Sequence, residues 1–138
     1  MSETSRYPLG VDCVWLAHTR RGEVGAFITA GTGPIPIDVL NRVNVETLET
    51  EILRDLSSVT RPLVLKSVPR PQSYEELSCR GLFVYDWIAK TQTYEWVALP
   101  DTSLDVAALP ERLKEASFPL PIDMFDGARK IPGAALIP

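Results

Sequence analysis

Histidine is almost absent from this chain. His18 is the only one in 138 residues. Ser–His and Cys–His catalysis and most zinc sites draw on histidine, and neither the HExxH nor the CxxC spacing occurs. Cysteine is equally sparse: Cys13 and Cys79 each sit among apolar residues, where a free thiol behaves as a small hydrophobe. Two cysteines do not form a disulfide framework, so a reducing, cytoplasmic setting is the expectation. No run approaches the roughly 18 apolar residues of a membrane span. The first seven residues, Met1 to Tyr7, lack the apolar stretch of a secretory leader and are expected to be flexible. Basic charge is thin as well. There are 14 Lys and Arg against 18 Asp and Glu, a net charge of −4, and the densest basic spot is Arg20-Arg21. Nucleic acid binding needs a basic surface to replace counterions, so that partner class is not expected. Neither a metal nor a cofactor is expected.

What is present is ordinary globular composition. Hydrophobic residues make up 45% and charged residues 23%, too apolar for disorder and the right length for one domain over residues 1–138. Val11, Cys13, Trp15 and Ala17 alternate with Val14 and Leu16. Both faces are apolar, which predicts an interior strand covered on both sides. A polar turn through Gly22 leads to a second strand, Val24–Ala30, completing a hairpin. Gly31-Thr32-Gly33-Pro34-Ile35-Pro36 breaks that strand. A short helix starts near Pro36, with Ile37, Leu40 and Val43 as its inner face.

Val45, Leu48, Ile52, Leu56 and Val59 recur at spacings of three and four, one face of a helix capped by Asn44 and stopped by Pro62. Leu63–Lys66 is a short apolar run, Pro69–Pro71 a turn, and Ser73 with Glu76 fits a capping box. Leu82–Ile88 and Tyr94–Leu99 form a second hairpin crowded with Tyr85, Trp87, Tyr94 and Trp96. A helix follows at Pro110–Ala116. Residues 118–138 are broken by proline and carry no clear pattern. The sum is an α+β fold: an antiparallel sheet built from two β-hairpins, with helices packed on it.

Candidate sites are few, and no catalytic residue is assigned. A Cys79–His18 dyad stays open, whereas Cys13 has the wrong strand parity to meet His18. Gly31, Thr32 and Gly33 lie between a strand and a helix, where backbone N–H groups can cradle an anion, although two prolines remove donors. Asp86 shares strand parity with Leu82, Val84 and Ile88. A carboxylate there lies at an open edge or beside a buried partner, which makes it a ligand-binding candidate with the glycine loop. Glu46, Glu49 and Asp55 lie off the apolar stripe of their helix and form a candidate acidic partner-binding face. Trp87, Tyr94 and Trp96 are candidate aromatic anchors, against their use as plain core.

Several stretches look familiar together: Trp15-Leu16-Ala17, Gly22, Gly25, Phe27, Thr29 to Pro36, Gly81 to Asp86, Tyr94, Ala98-Leu99-Pro100, Leu109-Pro110 and Leu113. Over roughly residues 8–115 the chain resembles a group of small bacterial proteins associated with the immunity proteins encoded near polymorphic or contact-delivered toxins. The shared residues are structural glycines, prolines and aromatics, so no catalytic residue carries over. The resemblance implies a non-enzymatic protein-binding domain that neutralises a cognate toxin. Two alternatives stay open. One is a small-molecule-binding or minor enzymatic domain that uses the Gly31–Pro36 loop and Asp86. The other is an assembly subunit that dimerises through a sheet edge.

Overall fold

A computed structural model describes residues 7–65, 71–125 and 128–136. The flexibility expected of residues 1–7 therefore falls, Tyr7 apart, outside the described residues, as does most of the turn at residues 69–71.

The first hairpin forms as its pattern predicts, from β1 (Val14–His18) and β2 (Val24–Ile28). Gly22 closes the turn at φ +94°, where a side chain would be strained and would meet the Asp105 carboxylate at 2.7 Å. The second hairpin is β4 (Phe83–Ile88) and β5 (Thr93–Pro100). Between the hairpins run α1 (Ile37–Arg42), α2 (Val45–Asp55), the short β3 (Pro62–Val64) and α3 (Gln72–Ser78). After β5 come α4 (Glu111–Ala116), β6 (Phe118–Pro119) and β7 (Lys130–Pro132), with single 3₁₀ turns at Val106–Ala108 and Gly133–Leu136.

These elements give an α+β fold, but the sheet is mixed rather than purely antiparallel. Seven strands run in the order β3-β5-β4-β2-β1-β6, with β7 also paired to β5. The hairpins are joined side by side by a parallel pairing of β2 with β4, from Gly25↔Phe83 to Ile28↔Asp86. The long helical connection carries the chain back to the end from which β2 started, and a strand that re-enters there runs parallel to the one before. β6 adds a second parallel pair on β1, through Ala17↔Phe118.

Both faces of the sheet are buried, as the two-sided pattern of β1 requires. One face packs Val14, Leu16, Val24, Ala26 and Val84 against Leu48 and Ile52 of α2, Leu77 of α3 and Leu113 of α4. The other carries Trp15, Phe27, Phe83, Tyr85, Trp87 and Tyr94. It is covered by Val39 and Leu40 of α1 and by Leu120, Phe125, Ile131 and Leu136 of the C-terminal segment. A bulge in the β4–β5 ladder sets Val84 opposite Ala98 but Tyr85 opposite Trp96, so Val97 is the extra residue. Val97 and Ala98 both enter the helix-side core, while Trp96 and Leu99 stay against the aromatic face.

Local expectations are met unevenly. Asn44 caps α2, its side-chain oxygen accepting from the Glu46 N–H at 3.2 Å. Val45, Leu48 and Ile52 are buried as the stripe demands. The helix nevertheless ends at Asp55, well before Pro62, and Val59 is 68% exposed. The stop is tertiary. Arg80 reaches from the end of α3 and donates to the carbonyls of Leu56 (2.9 Å) and Leu53 (3.2 Å). Carbonyls that a longer helix would have used are satisfied by a cation instead. In α1 the inner residues are Val39 and Leu40, and Ile37 faces water. The Ser73–Glu76 box is not made, because α3 starts behind Pro71 with no side-chain cap. Among the described residues no helix is long and apolar enough to cross a membrane.

Candidate functional site

Acidic side chains gather where the start of β1, the exposed side of α2 and the first turns of α3 meet. Asp12 precedes β1 and accepts from the Ala30 N–H at 2.9 Å. Glu46 and Glu49 stand on α2, and Glu76 on α3. Burial raises the Glu49 carboxyl above its ordinary value, and the charges of Asp12 and Glu76 raise it further. The Cys13 thiol beneath is raised by burial and then by Glu46, Asp12 and Glu49. Glu49 therefore lies within the fields of Asp12 and Glu76, and Cys13 within those of Glu46, Asp12 and Glu49. Among the described residues none of Asp12, Glu46, Glu49 and Glu76 forms an ion pair. Asp12 carries no signal in the sequence and Glu76 reads there as a capping residue, because neither belongs to the helix that carries the other two.

Asp55 does not join this group. A residue nine positions along a helix from Glu46, at about 100° per residue, lies on roughly the opposite side. Asp55 pairs with Arg54 at 2.8 Å, and that hydrogen bond lowers its pKa. Glu51, on the same side as Asp55, pairs with Arg112 of α4 at 2.9 Å. The acidic helix thus has a neutralised flank facing α4 and an uncompensated one facing β1 and α3.

Asp86 lies on the helix side of β4, half-buried, with Glu95 as its cross-strand partner. Tyr74 of α3 donates its hydroxyl to Asp86 Oδ2 at 2.6 Å. Burial and the adjacent carboxylate raise the Tyr74 pKa far above the ordinary phenol value, so the hydroxyl stays a donor. Glu95 in turn approaches Lys130 of β7 at 3.8 Å.

The glycine loop is built for packing. The N–H groups of Gly31, Thr32 and Gly33 all donate to Thr29, to its hydroxyl at 3.3 Å and to its carbonyl at 3.2 and 2.8 Å. Each donor that would have faced an anion is thereby engaged. Tyr7 donates its hydroxyl to the Gly33 carbonyl and Tyr94 to the Pro34 carbonyl. A methyl group at Gly33 would stand 2.6 Å from the Tyr94 hydroxyl and 2.9 Å from Trp87. The loop does not come together with Asp86 in any contact among those described. A shallow cleft of about 590 Å³ opens beside it, lined by Thr32, Pro34, Trp87 and Pro132 and, among the described residues, by no charged side chain.

Two of the three candidate aromatic anchors are core. Tyr94 is fully buried, Trp87 is 6% exposed, and their rings lie 5.1 Å apart. Tyr94 also accepts from the Trp15 indole at 3.2 Å. Trp96 is half-buried and stacks on Phe83. Large apolar side chains do reach water elsewhere, with Leu9 at 74% and Val11 at 42% exposed beside Asp12.

His18 meets neither cysteine. Its Nδ1 lies 2.8 Å from the hydroxyl of Ser117, at the C-terminal cap of α4. Ser117 is 4% exposed, so the pair is a buried link between β1 and α4 rather than an accessible nucleophile. Nothing in the sequence marks two residues 99 positions apart as neighbours. Among the described residues no group of three or more His, Cys, Asp or Glu is placed to hold a metal ion. Comparison with models of known families, with curated proteins and with solved structures finds no match.

Proposed function

We propose that this chain is a non-enzymatic protein-binding domain of the immunity type, which neutralises a toxin by covering a basic surface of it. One observation carries the reading: the charges of Asp12, before β1, and Glu76, on α3, act on Glu49 of α2, and none of Asp12, Glu46, Glu49 and Glu76 forms an ion pair among the described residues. Neighbouring like charges are destabilising in isolation, and Glu49 holds its proton more tightly because of them. A basic partner would relieve that repulsion, and its long-range attraction would speed encounter more than it deepens the complex. The opposite flank of α2 supports the same choice of face, since Arg54 and Arg112 already neutralise its acids.

The test is surface-immobilised kinetics against the product of the neighbouring gene, at low and high salt. Charge reversal of Glu46 and Glu49 to Lys slows association at least tenfold at low salt and leaves the fold intact. Asp55→Lys has a much smaller effect. Absence of binding removes that pair. Binding with an association rate indifferent to salt and to both reversals removes the acidic flank as the contact.

A further inference from the structure

The N-terminal turn gives the acidic flank an apolar companion. Leu9 and Val11 are 74% and 42% exposed, although Cys13 two residues on is 3% exposed. The turn holds these side chains outward by its own hydrogen bonds, Leu9 N–H to the Tyr7 carbonyl, Val11 N–H to Pro8 and Gly10 N–H to Gly31. Tyr7 anchors its start on Gly33. Pro8 shares a shallow groove of about 340 Å³ with Arg42 of α1 and with Val45 and Glu46 of α2, so the turn and the acidic helix border one surface; Arg42 is already paired with Asp38 at 3.0 Å. Asp12, the next residue after Val11, acts on Glu49 and Cys13.

We infer that Leu9 and Val11 are the apolar anchor of a docking surface whose rim is Asp12, Glu46 and Glu49, and that its occupant is a protein segment combining lysine or arginine with a large apolar side chain. The charge pattern selects that occupant. An acidic or neutral apolar segment would dehydrate these carboxylates without pairing them, whereas a basic one pairs them as its apolar side chain covers Leu9 and Val11. Anchors surrounded by a polar rim are the part of an interface that holds a complex after encounter. This rests on the acidic-flank reading and adds the anchor to it.

The probes are three peptides of equal length: lysine–leucine, lysine–glycine with the same charge, and glutamate–leucine. Each is titrated against the full chain by calorimetry at low salt. The expected result is that lysine–leucine binds at least about tenfold tighter than lysine–glycine and that glutamate–leucine does not bind. The double variant Leu9→Ser with Val11→Ser loses that tenfold advantage and keeps its affinity for lysine–glycine, with an unchanged urea midpoint to show that it folds. Equal affinity of the two lysine peptides, or an advantage that survives in the double variant, overturns the anchor while leaving the acidic flank standing. Failure of both lysine peptides to bind overturns the acidic flank and the anchor with it. Binding of glutamate–leucine overturns the selection by charge.

Discussion

Burial and neighbouring carboxylates make Glu49 harder to ionise than a free glutamate. Burial and the fields of Asp12 and Glu76 raise its folded pKa above the unfolded value. For an acid this means that the folded chain binds the proton more tightly, so the group destabilises the fold above its folded pKa and that cost is relieved as pH falls. Glu49→Gln should therefore stabilise the fold at pH 7, by no more than about 0.5 kcal/mol for a half-buried, solvent-screened group, seen as a higher urea midpoint, while slowing association with a basic partner. His18 has the opposite sign. Burial lowers its folded pKa below the ordinary 6.5. The unfolded chain then takes up the proton first, and the stability contributed by neutral His18 is present above pH 6.5 and lost as pH falls through the folded pKa. Urea melts between pH 7.5 and pH 5 should show that loss, and His18→Asn, which cannot titrate, should flatten the His18 part of the curve.

At the scale of elements, α2 depends on α3 for its end. Arg80 supplies donors to the Leu53 and Leu56 carbonyls and also to the backbone carbonyl of Glu76 at 2.5 Å. Charge-assisted hydrogen bonds each contribute about 1.5–3 kcal/mol. Arg80→Met keeps the packing of the stem and removes the donors, so a loss of roughly 2 kcal/mol is expected, with faster amide exchange at Leu56, whose N–H bonds Ile52. The same dependence explains what was legible here. Asn44, Val45, Leu48 and Ile52 announce the start and inner face of α2 through spacing alone. Its end was misread, because the apolar rhythm runs on through Leu56 and Val59, while the group that stops the helix lies 24 residues beyond Leu56. The capping box at Ser73 failed for a related reason: Pro71 occupies the N-cap position and fixes the chain's entry into α3 before the serine.

For the whole molecule the decisive segment is the proline-broken C-terminus, in which no pattern could be found. It closes the aromatic face. Phe125 is fully buried, within 5.4 Å of the Phe83 and Tyr85 rings and 6.2 Å of Phe27. Its N–H donates to Glu23 at 2.5 Å, and Tyr85 donates to the Ala128 carbonyl at 2.6 Å. Phe125→Ala should cost about 3–5 kcal/mol. Tryptophan fluorescence and far-ultraviolet circular dichroism should report one coincident unfolding transition. A separate early transition seen only by fluorescence would mean that the segment is a detachable cover.

Composition and periodicity by themselves determined the α+β class, both hairpins, the two-sided burial of β1 and the inner face of α2, since each is written in the spacing of apolar residues along its own element. They also placed Glu46 and Glu49 off the apolar stripe. Tertiary structure alone decided that β2 and β4 run parallel, that Asp55 parts from the other two acids, and that Asp12 and Glu76 join them. It also decided that the donors of Gly31, Thr32 and Gly33 are used up inside the loop. Sequence pattern records which side of an element is apolar. It does not record which element will lie beside it, and the charge of a surface is the sum over elements that only the folded chain brings together.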